Sequence, residues 1–299
     1  MKFSKTFLTI IAFFIIANHA TAQNFKPYIL ATTSDEPLSE ISEVVKTTLT
    51  ESGLEVIGEY SPANDSNRKV FVITSAELKN GVKTIGGLTG FASAMRVGLT
   101  NENDIVNISY TNPIYWGNAY YGDNYNQVQS HYISVTEKIS SALSNVGESL
   151  DLPFGSDEGL SEKSLRNYRY MFGMEKFDDV VKLNEFDSFE DAVSAIDGKL
   201  ANSENFIYSV EFTDEKLKLY GIAIGGEKGE ERFLPIIDIS TLKHTASLPY
   251  ELLIVDKKAV MLHGRYRIAL SFPDLTMMTF SKIMSTPGDI KEILKGYTQ

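Results

Sequence analysis

The residues able to do chemistry in this 299-residue chain gather in two places. The first is His263, Arg265 and Arg267, at alternate positions of a segment that reads as a strand, so that alternation would set all three on one face. Tyr250 and Glu251 lie on the preceding strand, and Asp274 follows just beyond. Two guanidiniums and an imidazole on one face could grip a carboxylate or phosphate through paired hydrogen bonds. Gly264 can mark a bulge that breaks this alternation. The competing reading is a solvated strand face whose arginines neighbour acids and cover an apolar rim.

The second place is an aromatic stretch, Tyr110, Tyr115, Trp116, Tyr120, Tyr121, Tyr125 and Tyr132, interleaved with Asn112, Asn118, Asn124 and Asn126. Flat amphipathic rings beside amides suit the recognition of a sugar or peptide, because rings stack at low entropic cost and amides bond hydroxyls or backbone. Tyr115, Trp116, Asn118, Tyr120 and Tyr121 are the binding candidates here. Trp116 and Tyr120 are four apart, however, as helix core or a subunit interface would also require.

Other chemistries find no motif. Gly86-Gly87-Leu88-Thr89-Gly90 lacks the Lys-Ser/Thr ending of a phosphate loop, and Gly225 to Gly229 is flanked by Glu230 and Glu231, which would repel phosphate. No Gly-x-Ser-x-Gly elbow occurs. Asp178-Asp179 and Glu230-Glu231 are adjacent acids, which in strands or turns face different sides. The chain has no Cys, so thiol catalysis, thiolate metal sites and disulfides are all excluded. The three His beyond the leader, His131, His244 and His263, stand at no ligand spacing from one another. No catalytic residue, metal or cofactor is assigned from the sequence.

Local patterns say which elements must hold these groups. Pro37 to Ser52 reads as a helix with Leu38, Ile41, Val44, Val45 and Leu49 as its stripe, followed by strands at 54–60 and 69–74. Val82 to Val97 suggests a loop and a short helix, 97–111 a hairpin turning at Asn101 to Asp104, and Asn112-Pro113 the start of another helix. A long helix covers 125–146 with Ile133, Thr136, Ile139 and Leu143 in line. Gly147 to Lys163 mixes Gly, Ser, Pro and acids as a linker would.

The order then restarts. A strand at 179–185 precedes a helix capped by Ser188, and strands are predicted at 205–212, 216–224 and 233–239. A hairpin pairs 250–255 with 259–272, and helices begin at Pro273 and Pro287. Both halves thus run strand, amphipathic helix, two strands, variable segment, hairpin, Pro-initiated helix, which suggests an internal duplication. The expectation is an α+β chain of two related domains, mostly antiparallel sheets with helices packed on one face of each, over residues 23–148 and 177–299 with a linker at 149–176. The halves are expected to pack as an intramolecular pseudo-dimer, and homodimerisation is left open.

Two runs carry a family resemblance. Leu38 to Gly58 (LSEISEVVKTTLTESGLEVIG), with Arg96-Val-Gly-Leu and Val106-Asn-Ile-Ser-Tyr-Thr-Asn-Pro113, resembles domain-of-unknown-function family 302. In the second half, Leu248-Pro249-Tyr250-Glu251-Leu252-Leu253-Ile254-Val255 and Phe272-Pro273-Asp274 are similar to strand and turn patterns of that family. The resemblance implies a compact α+β sandwich that tends to pair as dimers, and it supplies no activity to carry over. Pro249-Tyr250 stands where the family carries Pro-Cys, so any role of that Cys does not transfer.

Lys2 and Lys5, the apolar stretch Phe7 to Ala17 and the small residues Ala20-Thr21-Ala22 read as a secretory signal peptide, Met1–Ala22, cleaved after Ala22. The apolar stretch is shorter than the roughly 20 residues that span a bilayer, so no membrane span is expected after its removal. Losing two Lys and no acid moves the formal charge from -11 to -13, which argues against nucleic acid as a partner. The reading is an exported protein of the periplasm or exterior, a non-enzymatic binding or accessory module for a small molecule or peptide. Two alternatives stand beside it: a small hydrolase or isomerase using His263 and Arg265, and a structural envelope-assembly protein.

Overall fold

The computed structural model describes residues 24–299, so the leader and its cleavage after Ala22 lie outside the described residues. The first half comprises β1 (Asn24–Phe25), β2 (Tyr28–Ser34), α1 (Leu38–Glu51), β3 (Glu55–Tyr60), β4 (Arg68–Thr74), α2 (Ala76–Ile85), β5 (Met95–Glu102), β6 (Ile105–Thr111), α3 (Pro113–Tyr121) and α4 (Tyr125–Leu143). Next come β7 (Leu152–Phe154), β8 (Leu160–Ser161) and α5 (Glu162–Arg166). The second half holds β9 (Val181–Glu185), α6 (Phe189–Leu200), β10 (Phe206–Phe212), β11 (Leu217–Ile222), α7 (Glu230–Ile237), β12 (Tyr250–Val255), β13 (Lys258–Met261), α8 (Gly264–Ser271), α9 (Met277–Lys282) and α10 (Thr286–Gly296).

All pairings are antiparallel, and the class is α+β. The first sheet runs β3-β4-β5-β6-β2-β7 and the second β10-β11-β12-β13-β9. In each, the first strand of the half returns beside the last, one helix follows that first strand, and another precedes the final hairpin. The two related domains therefore share one topology, with β7 as an added edge on the first. Segment 149–176, expected as a linker, instead adds β7 to β2 and β8 to β1, and buries Phe154, Leu165 and Tyr168. Among the described residues no helix is long and apolar enough to cross a membrane.

Strand alternation divides the side chains of the second sheet between two cores. In the second sheet Leu252 and Ile254 pack with Ala192 and Ile196 of α6, whereas Leu217, Leu219 and Leu253 point the other way and join the core of the first half. Fully burying each such side chain stabilises by about 1.5–3 kcal/mol. The halves meet closely. A Cβ on Gly58 would lie 2.6 Å from the Ile207 carbonyl oxygen, and one on Gly98 would lie 2.8 Å from the Ala246 nitrogen. The contact is reciprocal: the 3-10 turn Gly87–Ala92 of the first half rests on β11 and β12, and the turn Thr245–Ser247 of the second rests on β4, β5 and β6.

Several local expectations are corrected. Residues 76–85 form α2, capped by Ser75, whose side chain accepts the Leu78 N–H. The apolar run 233–239, expected as a strand, lies mostly in α7, and only 259–261 of the strand expected at 259–272 is extended. The stripe of α4 is Val128, Tyr132, Val135, Ile139 and Leu143, with Ile133 exposed, and Val44 of α1 also faces solvent.

Candidate functional site

The strand that was to carry His263, Arg265 and Arg267 on one face is a helix, and the difference rearranges all three. His263 is the N-cap of α8: its Nδ1 accepts the Arg265 N–H at 3.3 Å, while Nε2 lies 3.5 Å from Glu175 Oε1. Successive helical residues turn by about 100°, so Arg265 and Arg267 diverge. Arg265 points outward and pairs with Glu175, whereas Arg267 points inward and is 2% exposed.

Arg267 ends in a polar cluster where the halves join. Its Nη2 donates to the Ser247 carbonyl at 2.7 Å, Nη1 donates to Ser271 Oγ, and its guanidinium lies 4.8 Å from the centroid of the Trp116 ring. Glu251 Oε2 stands 3.6 Å from Arg267 Nε, and Glu251 Oε1 meets Arg96 Nη2. Both of these partners are also buried, and Tyr28, Tyr120, Tyr208 and Tyr250 enclose the group. Burial pulls the Arg96 pKa below its ordinary value, and the nearby Arg267 adds to the effect. The cluster holds two cations and one anion away from water, an arrangement whose worth depends on keeping every charge paired.

The cluster sits on the approximate twofold relation between the halves. Arg96 is the second residue of β5 and Glu251 the second of β12, so these two equivalent positions pair with each other. Trp116 is four residues past the N-cap Asn112, and Arg267 four past the N-cap His263, and these two also meet. Tyr115 of α3 donates its hydroxyl to the Leu270 carbonyl of α8 at 2.9 Å, and Tyr266 of α8 donates to the Ala119 carbonyl of α3 at 3.4 Å. Tyr115, Trp116, Asn118, Tyr120 and Tyr121 are all buried. Trp116 donates to the Pro27 carbonyl at 2.9 Å, and Asn118 donates to the Ile114 carbonyl and accepts from Arg166. These residues are packing and polar core at the junction; only Tyr120 and Tyr121 also reach a cavity.

Two open clefts flank the cluster. The larger, about 460 Å³, lies between Lys26 and Pro153–Asp157 on one side and Ile237, Ile239–Leu242, Phe272 and Asp274–Thr276 on the other. Asp274 ties its walls together by accepting Ser156 Oγ at 3.0 Å and the Asp157 N–H at 2.6 Å. His244 lines this cleft, stacked on Phe272 at 4.6 Å and packed against Tyr28 at 5.0 Å. Its Nδ1 is 3.1 Å from the Ser271 carbonyl, which can only accept, so the proton resides on Nδ1 and Nε2 is the acceptor of the neutral ring. Burial lowers the His244 pKa and favours that neutral ring, against an opposing pull from Asp238. Nothing in the sequence marked His244: no ligand spacing surrounds it, and Phe272, Tyr28 and Ser271 reach it only through the packing of the halves.

The second cleft, about 420 Å³, is the counterpart in the first half, bounded by Leu88, Ala119–Gly122, Arg166–Tyr168 and Lys176–Asp178. Each cleft takes one Lys from the segment leading into the first strand of a half, Lys26 or Lys176. A third hollow, about 280 Å³, is lined by His263, Arg265, Met284 and Lys291. Among the described residues, no three His, Cys, Asp or Glu side chains converge as metal ligands would.

No family model matches the chain, and no curated protein matches it. Among solved structures it is similar to an uncharacterized conserved protein of DUF302 from Bacillus stearothermophilus, at 14% identity and a TM-score of 0.33, over 40% of this chain and 98% of that one.

Proposed function

We propose that the protein is an exported, non-enzymatic binding module whose small-molecule or peptide ligand occupies the cleft floored by His244. The observation that carries this reading is the cleft's place at the seam of the two halves, where ligand sites are commonly built. Its wall joins apolar surface from Phe154, Leu242 and Phe272 to a few polar groups: the His244 acceptor, the Lys26 ammonium and the hydroxyls of Ser240, Thr241 and Thr276. A binding role is favoured over chemistry at His263 because both nitrogens of that ring are engaged, one capping α8 and the other beside Glu175. Export is the accompanying proposal, and N-terminal sequencing of the purified protein is expected to begin at Gln23.

A thermal-shift screen of the chain from Gln23 onward against sugars, peptides and organic anions tests the reading. A ligand present at about one hundred times its Kd should add about 2.7 kcal/mol of stability. That gain should be lost in His244→Phe and reduced in Lys26→Gln. Stabilisation that survives both substitutions, or none with any compound class, counts against the His244 cleft.

A further inference from the structure

The second cleft holds a cation that two neutral amides fix in place and one half-exposed carboxylate only partly neutralises. The Arg166 side chain is only 16% exposed. Its Nε donates to Asn118 Oδ1 at 2.8 Å and its Nη2 to Asn126 Oδ1 at 2.9 Å, two neutral amide oxygens that orient the guanidinium without cancelling its charge. The guanidinium also lies 5.5 Å from the Tyr125 ring centroid. Glu162 touches the same Nη2 at 3.3 Å but is half-exposed, where such a contact is weak. Nη1 is left without a partner among the described residues, and Arg166 lines the cavity. A fork held in advance loses little entropy when it meets a planar carboxylate.

The rest of the cavity says what the carboxylate should be attached to. Tyr120 and Phe177 stack with centroids 5.1 Å apart and planes 22° apart, and Leu88 and Ala119 extend this apolar wall. Lys176 adds a second cation, which has no acidic partner among the described residues, and Asp178 and Asn124 complete the polar rim. A flat ring lying along the wall would bring its acid group to Arg166 and Lys176. We propose that this cleft is a second binding site, distinct from the His244 cleft, and that it takes a planar aromatic carboxylate.

The chain has a single Trp, and the Trp116 ring lies 5.5 Å from Tyr120, so its fluorescence reports on this wall. The probes are benzoate and its neutral isostere benzamide, titrated by Trp fluorescence and by calorimetry. Benzoate is expected to saturate, with benzamide about tenfold weaker or worse. Arg166→Gln should abolish that preference, Arg166→Lys should retain part of it, and His244→Phe should leave it unchanged. Near-UV circular dichroism checks the fold of each variant. If Arg166→Gln does not fold, Lys176→Gln, at the rim, must lower the preference instead. No saturable benzoate binding by either method, equal affinity for the two probes, or a preference that survives in the folded variants would overturn the proposal.

Discussion

Replacing Glu251 by Gln removes the anion that stands between Arg96 and Arg267 while keeping the size and shape of its side chain. Wild type balances two guanidiniums against one carboxylate, all three at most 4% exposed. Glu251→Gln leaves two buried cations facing each other, and breaking a buried pair from one side costs about 3–5 kcal/mol. Arg96→Met does the reverse: it leaves Glu251 and Arg267 as a balanced pair. Its main cost is one lost contact to a carboxylate that stays paired with Arg267, at about 1–3 kcal/mol. The larger loss would be a substantial part of a total stability of about 5–15 kcal/mol. At about 2–4 °C per kcal/mol, Glu251→Gln should lower Tm by roughly 6–20 °C, and Arg96→Met by roughly half as much or less. Calorimetry on wild type, both single variants and the double variant gives the coupling directly. Should Arg96→Met cost as much as Glu251→Gln, the charge balance drawn from the junction is wrong.

Further outcomes follow from the same junction. Tyr115→Phe and Tyr266→Phe each remove one hydroxyl bonded to a carbonyl of the opposite half, and each should cost about 1 kcal/mol in denaturant unfolding. Gly98→Ala drives a Cβ to 2.8 Å from the Ala246 backbone nitrogen, which cannot turn aside as a side chain could, so a loss of about 1–3 kcal/mol is expected. Glu230 of α7 accepts the Ala63 N–H, the Tyr60 hydroxyl and the Ile224 N–H, yet burial outweighs these bonds and pushes its carboxyl up to about 7. A folded pKa above the unfolded one contributes stability that is whole below about 4.5 and is lost as pH rises through about 7. Wild type should therefore lose about 3 kcal/mol over that window relative to Glu230→Gln, and parallel pH profiles of the two would contradict the assignment.

Much of this architecture was legible because half-buried elements write their period into the chain. The helix opened by Ser188 is capped by that hydroxyl on the Asp191 N–H at 3.0 Å, and its stripe of Phe189, Ala192, Ile196 and Leu200 is buried as the 3.6-residue spacing requires. Past the Asn103 turn, exposed Ile105 and half-buried Asn107 alternate with buried Val106 and Ile108 for the same reason. The opening of each half, a helix followed by two strands, could be read along the chain as well, since it needs only local patterns.

What the sequence by itself determined, then, is the α+β class, the order of elements that opens both halves, and the absence of any thiol chemistry. Tertiary structure alone decided α8 and the function of its arginines. That helix is wedged between the two halves and buried on nearly every side, so it shows no apolar stripe, and its Tyr266, Ile268 and Leu270 imitate the alternation of a strand. The meeting of Arg96 with Glu251, and of Arg267 with Trp116, joins residues more than 150 positions apart in the chain. No local period records such a meeting, because its cause is the packing of one sheet face on the other.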